Sequence, residues 1–205
     1  MENLNYVIHL FHSGGYVMYP LLLLSFMVIA IAVERAFFYH KYSGKTFVVT
    51  HAVNELAKLQ KWDEIDKVIK ENPSIASRIA EAGLHNASSE EAMKTAFADQ
   101  MGVDAVGFRK YMDYLSATVT ISPLLGLLGT VTGMICSFSI LDAGAGASAI
   151  TGGVGEALIA TASGLCVAIM AFIVYTFFSH RLDSIINQIE GMCVNIVSAK
   201  REGWN

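Results

Sequence analysis

Two stretches of this chain carry almost no charge, and that pattern constrains its fold more than any other feature. Residues 3–33 contain no Asp, Glu, Lys or Arg, and residues 114–179 contain only Asp142 and Glu156. These 97 residues hold two charged side chains, and the other 108 hold 30. A water-soluble fold has no interior large enough to hide such long uncharged runs, because most of its elements must turn a polar face to solvent. The pattern excludes an ordinary globular enzyme, a disordered chain and a nucleic-acid binder. It predicts an all-α membrane protein with three transmembrane helices and a charged helical domain between them.

A helix needs about 20 apolar residues, at about 1.5 Å rise each, to cross a bilayer. Three runs satisfy this: residues 16–38, 116–141 and 154–178. Lipid offers no partner to backbone amides and carbonyls, so these runs must be helical, and they lack the alternation of barrel strands. The remaining segments are an external interfacial segment (1–15), a cytoplasmic helical domain (39–115), an external loop (142–153) and a cytoplasmic helical tail (179–205). Basic residues resist translocation, and all 14 Lys and Arg lie in residues 35–110 or after residue 180. That distribution puts the N-terminus and the 142–153 loop outside and the C-terminus in the cytoplasm. No basic residue precedes the first run, which therefore does not read as a cleaved signal peptide.

Leu4, Val7, Ile8 and Phe11 fall at helical spacing and predict a short interfacial helix over 2–12, with a plain leader into the first run as the alternative. The 39–115 block reads as helices over 46–60, 62–72 and 74–86. Ser88 with Glu91 then forms a capping-box pattern. No breaker follows until Pro123, so one helix is expected from about 89 to 141. The third run should continue to about residue 199 on an apolar face of Leu182, Ile185, Ile186, Ile189, Val194 and Val197. No phosphate loop, nucleophile elbow, Cys/His metal spacing or other enzyme signature occurs. Cys136, Cys166 and Cys193 read as small buried apolar residues. A GxGxxA match at 144–149 lies between two membrane runs and carries no nucleotide-binding meaning there.

The first run is bulky throughout and suits lipid contact. The others carry small residues on one face: Gly126, Gly129 and Gly133 in the second, and Gly153, Ala157, Ala160, Gly164, Ala168 and Ala171 in the third. Small residues let helix backbones approach, and close packing holds helices together in lipid. Part of this stripe packs within one subunit, and the rest predicts a homo-oligomer. Glu34 and Arg35 read as an anchor at the membrane interface, with Arg35 extending to headgroups. Glu156 is expected in the first turn of its helix, where it serves either as a functional acid or as a partner of the helix dipole. Thr130 and Thr161 have the alternative of bonding their own helix carbonyls. No Asp, Glu, His, Lys or Arg lies at the mid-depth of any run. An ion path here would be lined by hydroxyls, and the titrating acid would come from another polypeptide.

The run Pro123-Leu-Leu-Gly-Leu-Leu-Gly-Thr130-Val-Thr-Gly133-Met resembles the second-span motif of the MotA/TolQ/ExbB proton channel family. Gly155-Glu156-Ala-Leu-Ile-Ala-Thr161-Ala-Ser-Gly164-Leu-Cys-Val-Ala168-Ile resembles the third-span motif, and Pro20 to Ser25 with Glu34-Arg35 fits the first. Three runs and a short N-terminus are closer to ExbB and TolQ than to MotA. Where the family pattern has a proline after the third-span Ala-Ile, this chain has Met170. The resemblance implies a pentamer around a central pore, in the bacterial inner membrane with a periplasmic N-terminus. It implies single-span partners of the ExbD/TolR type, each supplying a transmembrane Asp, and a TonB-like protein. The proton would be the coupling ion, with no other cofactor. Thr130 and Thr161 would face the partner's Asp, and Glu156 would mark the external mouth.

Overall fold

A computed structural model describes residues 14–142 and 147–201, so the expected interfacial helix over 2–12 and the start of the 144–149 motif lie outside the described residues. The described chain is all helical: α1 (Met18–Lys58), α2 (Trp62–Glu71), α3 (Ile75–His85), α4 (Glu90–Arg109), α5 (Met112–Asp142) and α6 (Ala147–Lys200). Three of these, α1, α5 and α6, are long and apolar enough to cross a membrane. The residues divide into two compact units. One holds the residues up to Val33 with Tyr111–Phe177, and the other holds Glu34–Lys110 with the residues from Phe178 onward.

In the first unit, α1 is not lipid-like on every side. Met18, Leu21, Val28 and Ile31 form a buried seam, and Leu22, Leu23, Phe26, Ile29 and Val33 stay exposed. Successive steps of three, seven and three residues keep the seam on one face of a 3.6-residue helix. Pro20 is tolerated because it stands in the first turn, where an amide has no intrahelical partner to lose. The helix expected at 46–60 is not separate, since α1 continues through Gly44. A single helical glycine costs only about 1 kcal/mol.

In the second unit, α1 ends in a Schellman-type turn. Lys61 N–H donates to the Leu56 carbonyl (3.1 Å) and Gln60 N–H to the Ala57 carbonyl (3.0 Å). Gln60 takes a left-handed φ of 54°. Ser74 caps α3, its hydroxyl accepting from Ser77 N–H. The cap of α4 is Ser89 rather than Ser88: its hydroxyl accepts from Ala92 N–H at 3.1 Å. That choice puts both Glu90 and Glu91 in the first turn, against the positive end of the helix dipole. On α6, Leu182, Ile185, Ile189, Met192 and Ile196 are buried. The spacing of three and four carries that face past Val194, which points outward instead of inward. Cys193 is buried as expected, whereas Cys136 on α5 and Cys166 on α6 are exposed, because they stand off the packed faces of their helices.

The single helix expected over 89–141 is broken. α4 stops at Arg109, and Tyr111 turns through the left-handed region at φ 68°. Gly107 stands two residues before this end, but Gly102 lies inside the same helix without interrupting it, so glycine alone does not place the break. The cause is distant in sequence, because the last carbonyls of α4 are taken by side chains of α1. Arg35 donates to the Gly107 and Phe108 carbonyls (3.2 and 3.3 Å), and Tyr39 donates to Phe108 (3.2 Å). Carbonyls capped in this way mark a helix end.

Candidate functional site

The small residues of α5 and α6 meet backbone to backbone inside the first unit. A methyl group added at Gly126 would stand 3.0 Å from Thr161 Cα, and one at Gly164 would stand 2.5 Å from the Ser122 carbonyl oxygen. Added methyls at Gly129 and Gly133 would meet the Cβ atoms of Ala160 and Ala157 at 2.5 and 2.8 Å. Ala157, Ala160 and Ala168 are buried in the same seam. Closeness of this order is what small residues permit, and in lipid it supplies most of the helix–helix attraction.

Both threonines belong to this pair of helices. Thr161, half-buried, reaches across the seam and donates to the Gly126 carbonyl at 2.9 Å. Thr130, also half-buried, donates within its own helix to Leu127 at 2.7 Å. The two acceptors are the carbonyls of consecutive residues of α5, Gly126 and Leu127. A threonine hydroxyl has one proton and two acceptor lone pairs. With the proton committed to a carbonyl, each oxygen is set to accept from a water or a neutral carboxylic acid. To donate to a carboxylate, each must first rotate off its carbonyl.

Glu156 is exposed and is the tenth residue of α6, which begins at Ala147. The expected first-turn position does not hold, because the helix begins at Ala147 and runs through Gly152 and Gly153, which weaken it without ending it. The macrodipole, concentrated in the first turn, therefore gives no account of the acid. Glu156 lines a cavity of ≈ 610 Å³ together with Gly129, Thr132, Gly133, Cys136 and Pro20.

The model of the MotA/TolQ/ExbB proton channel family matches residues 71–191. The chain belongs to that family. It is 33% identical over 183 residues to a putative biopolymer transport protein, ExbB-like 1, of Synechocystis, covering 80% of this chain and 67% of that protein. It is 37% identical over 97 residues to the biopolymer transport protein ExbB of Salmonella typhimurium, covering 44% of this chain and 39% of that one. It is also 39% identical over 74 residues to the Tol-Pal system protein TolQ of Haemophilus influenzae, covering 35% of this chain and 32% of that one.

Within this family member the α5 seam carries more hydroxyls than the two threonines singled out by sequence. Thr118, Ser122 and Ser137 are buried on the glycine face. Thr118 and Ser137 donate to the carbonyls four residues back, at 2.7 and 2.8 Å. Ser122 Oγ is the buried side-chain polar atom without a hydrogen-bond partner among the described residues. The progression 118, 122, 126, 129, 133, 137 is helical and could have revealed this face in the sequence.

The second unit holds Glu34 and Arg35 in an unexpected arrangement. Arg35 does not extend outward. It is 1% exposed, bidentate to Glu34 at 2.5 and 2.8 Å, and lies 4.4 Å from the Phe38 ring centre. The planar fork satisfies a carboxylate and two carbonyls at once, which makes burial tolerable.

Proposed function

We propose that this chain is a proton-channel and motor subunit of the ExbB type. It would use the proton motive force, with an ExbD-type single-span partner, to energise TonB-dependent transport across an outer membrane. One observation carries the reading. Thr161 and Thr130 place two hydroxyls on one close-packed helix pair, bonded to the carbonyls of the neighbouring residues Gly126 and Leu127. The sequence supplies no Asp, Glu, His, Lys or Arg at mid-depth in any apolar run. A proton path built this way requires an acid from outside the chain, and the partner's transmembrane Asp would supply it. The proton is the coupling ion.

The threonines would stabilise that Asp differently in its two charge states. A neutral acid donates to a hydroxyl oxygen whose own proton stays on Gly126 or Leu127. An ionised Asp needs the hydroxyl to turn and donate. The acid is then ionised where both hydroxyls rotate toward it and neutral elsewhere, which is the condition for directed transfer. A potential of about 100 mV contributes about 2.3 kcal/mol per charge crossing, sufficient to bias one such step. Glu156 would be the acid at the outer mouth. Five copies would enclose the pore, with the small-residue faces of α5 and α6 shared between and within subunits. The 14-to-0 distribution of Lys and Arg supports an external N-terminus and a cytoplasmic C-terminus in the inner membrane.

The test is the double variant Thr130→Val, Thr161→Val, with an unchanged oligomer and loss of partner-dependent uptake as the expected result. Uptake that survives in the double variant would overturn the ion-path assignment and favour the rival reading, a non-conducting scaffold. A TolQ-type role in envelope maintenance has the likeness to the Haemophilus protein in its favour. Restoration of cell division in place of nutrient uptake, in a strain lacking either system, would establish it.

A further inference from the structure

We infer that a collar of cations at the ends of the apolar helices binds anionic phospholipid headgroups. The collar is gathered by a buried clamp in the second unit. Tyr39 of α1 stacks on Phe178 of α6 at 5.4 Å and on Phe108 of α4 at 6.1 Å. Arg35 and Tyr39 hold the end of α4 through its carbonyls. Three chain segments distant in sequence are therefore fixed side by side. Each carries exposed cations: Lys41 and Lys45 on α1, Arg109 and Lys110 at the end of α4, and Arg181 on α6.

The charge balance of these segments is one-sided. The acids beside them are Glu34, which Arg35 holds and Lys110 also faces, Asp183, and Asp113 three residues after Lys110, fewer than the five cations. Among the described residues, Lys41, Lys45, Arg109 and Arg181 make no salt bridge. Lys41 and Arg181 each stand four residues beyond an exposed apolar side chain at the end of its run, Phe37 and Phe177, or about 6 Å along the helix. A headgroup layer is about 5 to 8 Å thick on each side of the hydrocarbon, so these side chains end within it. What lies against a membrane helix at that level is phosphate. A net positive collar favours lipids whose phosphate charge is not cancelled by an ammonium group. Clustered basic residues beside a span attract anionic lipid for this reason.

The experiment is native mass spectrometry of the full chain. The protein is released from nanodiscs of phosphatidylcholine mixed with phosphatidylglycerol. Wild type should retain phosphatidylglycerol severalfold above its share of the bilayer. Added salt should reduce that enrichment, because exposed charges are screened. Each Lys or Arg removed should lower it by up to about fivefold. The combined variant K41Q/R109Q/K110Q/R181Q should return retention to the bulk ratio, and R109K/R181K should keep the enrichment. If the combined variant fails to assemble, the single variants K41Q and R181Q and the salt series decide. No enrichment in wild type would overturn the site and leave an acidic protein as the collar's partner. Enrichment that persists in the assembled combined variant, or is indifferent to salt, would overturn it as well.

Discussion

Arg35 carries a full charge among one carboxylate, two carbonyl oxygens and an aromatic face, and each neighbour makes its own demand on a substitution. Replacement by Gln keeps some hydrogen bonding but loses the bidentate pair and the charge-assisted bonds, so Arg35→Gln should lower stability by about 3 kcal/mol. Arg35→Lys should lose roughly half as much, since an ammonium cannot span all four acceptor oxygens. Thermal unfolding of the purified protein in detergent checks both. Glu90 gives the pH-dependent case. Its carboxylate accepts from Arg201 and Lys94, and the Arg201 bond above all holds its pKa down at about 2, against an ordinary value of 4.5. A depressed carboxylate contributes above the unfolded pKa and loses its contribution as pH falls through the folded one. Wild type and Glu90→Gln should differ above about pH 4.5 and converge as pH approaches 2. Lys200 lies 5.0 Å from the Trp62 ring, so Trp62 fluorescence in a Trp204→Phe background reports the attachment of the tail. Neither arrangement could be read locally. Arg35 sits at the end of an apolar run in the sequence and looks like an outward anchor, because its partners Gly107 and Phe108 are more than 70 residues away.

At the scale of elements, what was legible follows from local rules and what was not follows from distant contacts. The helices expected over 62–72 and 74–86 match α2 and α3 closely, because Pro73 and the capping Ser74 act on their own turns. The continuity of α1 through Gly44 and the break at Tyr111 were not, since one depends on packing outweighing a weak propensity and the other on side chains from another helix. The α5–α6 seam was readable as a small-residue stripe. The cross-seam bond of Thr161 and the outward turn of Val194 appear only once the helices are placed. Two glycines of α6 separate packing from propensity. Gly164→Ala sets a methyl against backbone at 2.5 Å and should destabilise the helix pair, whereas Gly155→Ala meets nothing within 4 Å and should be neutral or slightly stabilising. Resistance of the oligomer to detergent and heat distinguishes them. At the end of α1, Gln60→Gly should raise stability by about 1 kcal/mol at most, because glycine takes a left-handed φ without the cost borne by a side chain.

At the scale of the whole molecule, the distribution of charge governs the account. It predicted three apolar helices, and α1, α5 and α6 are long and apolar enough to cross a membrane. It also left those helices without a mid-depth ionisable group, and this makes the proposed proton path incomplete in one chain. Met170, where the family pattern has a proline, lies within an uninterrupted α6. An interior proline would withdraw an amide from the helix ladder and favour a kink, so Met170→Pro should bend α6 near that turn. Spin-label distances across residues 160 and 185 would register the bend. The central claim is that the hydroxyls are here and the acid is elsewhere. Proton flux into liposomes under an imposed potential tests it most directly, with the chain reconstituted alone, with a single-span partner bearing a transmembrane Asp, and with that partner in the Thr130→Val, Thr161→Val background. The account predicts flux only in the second case. Flux from the chain alone, or undiminished flux in the double variant with its partner, would contradict it.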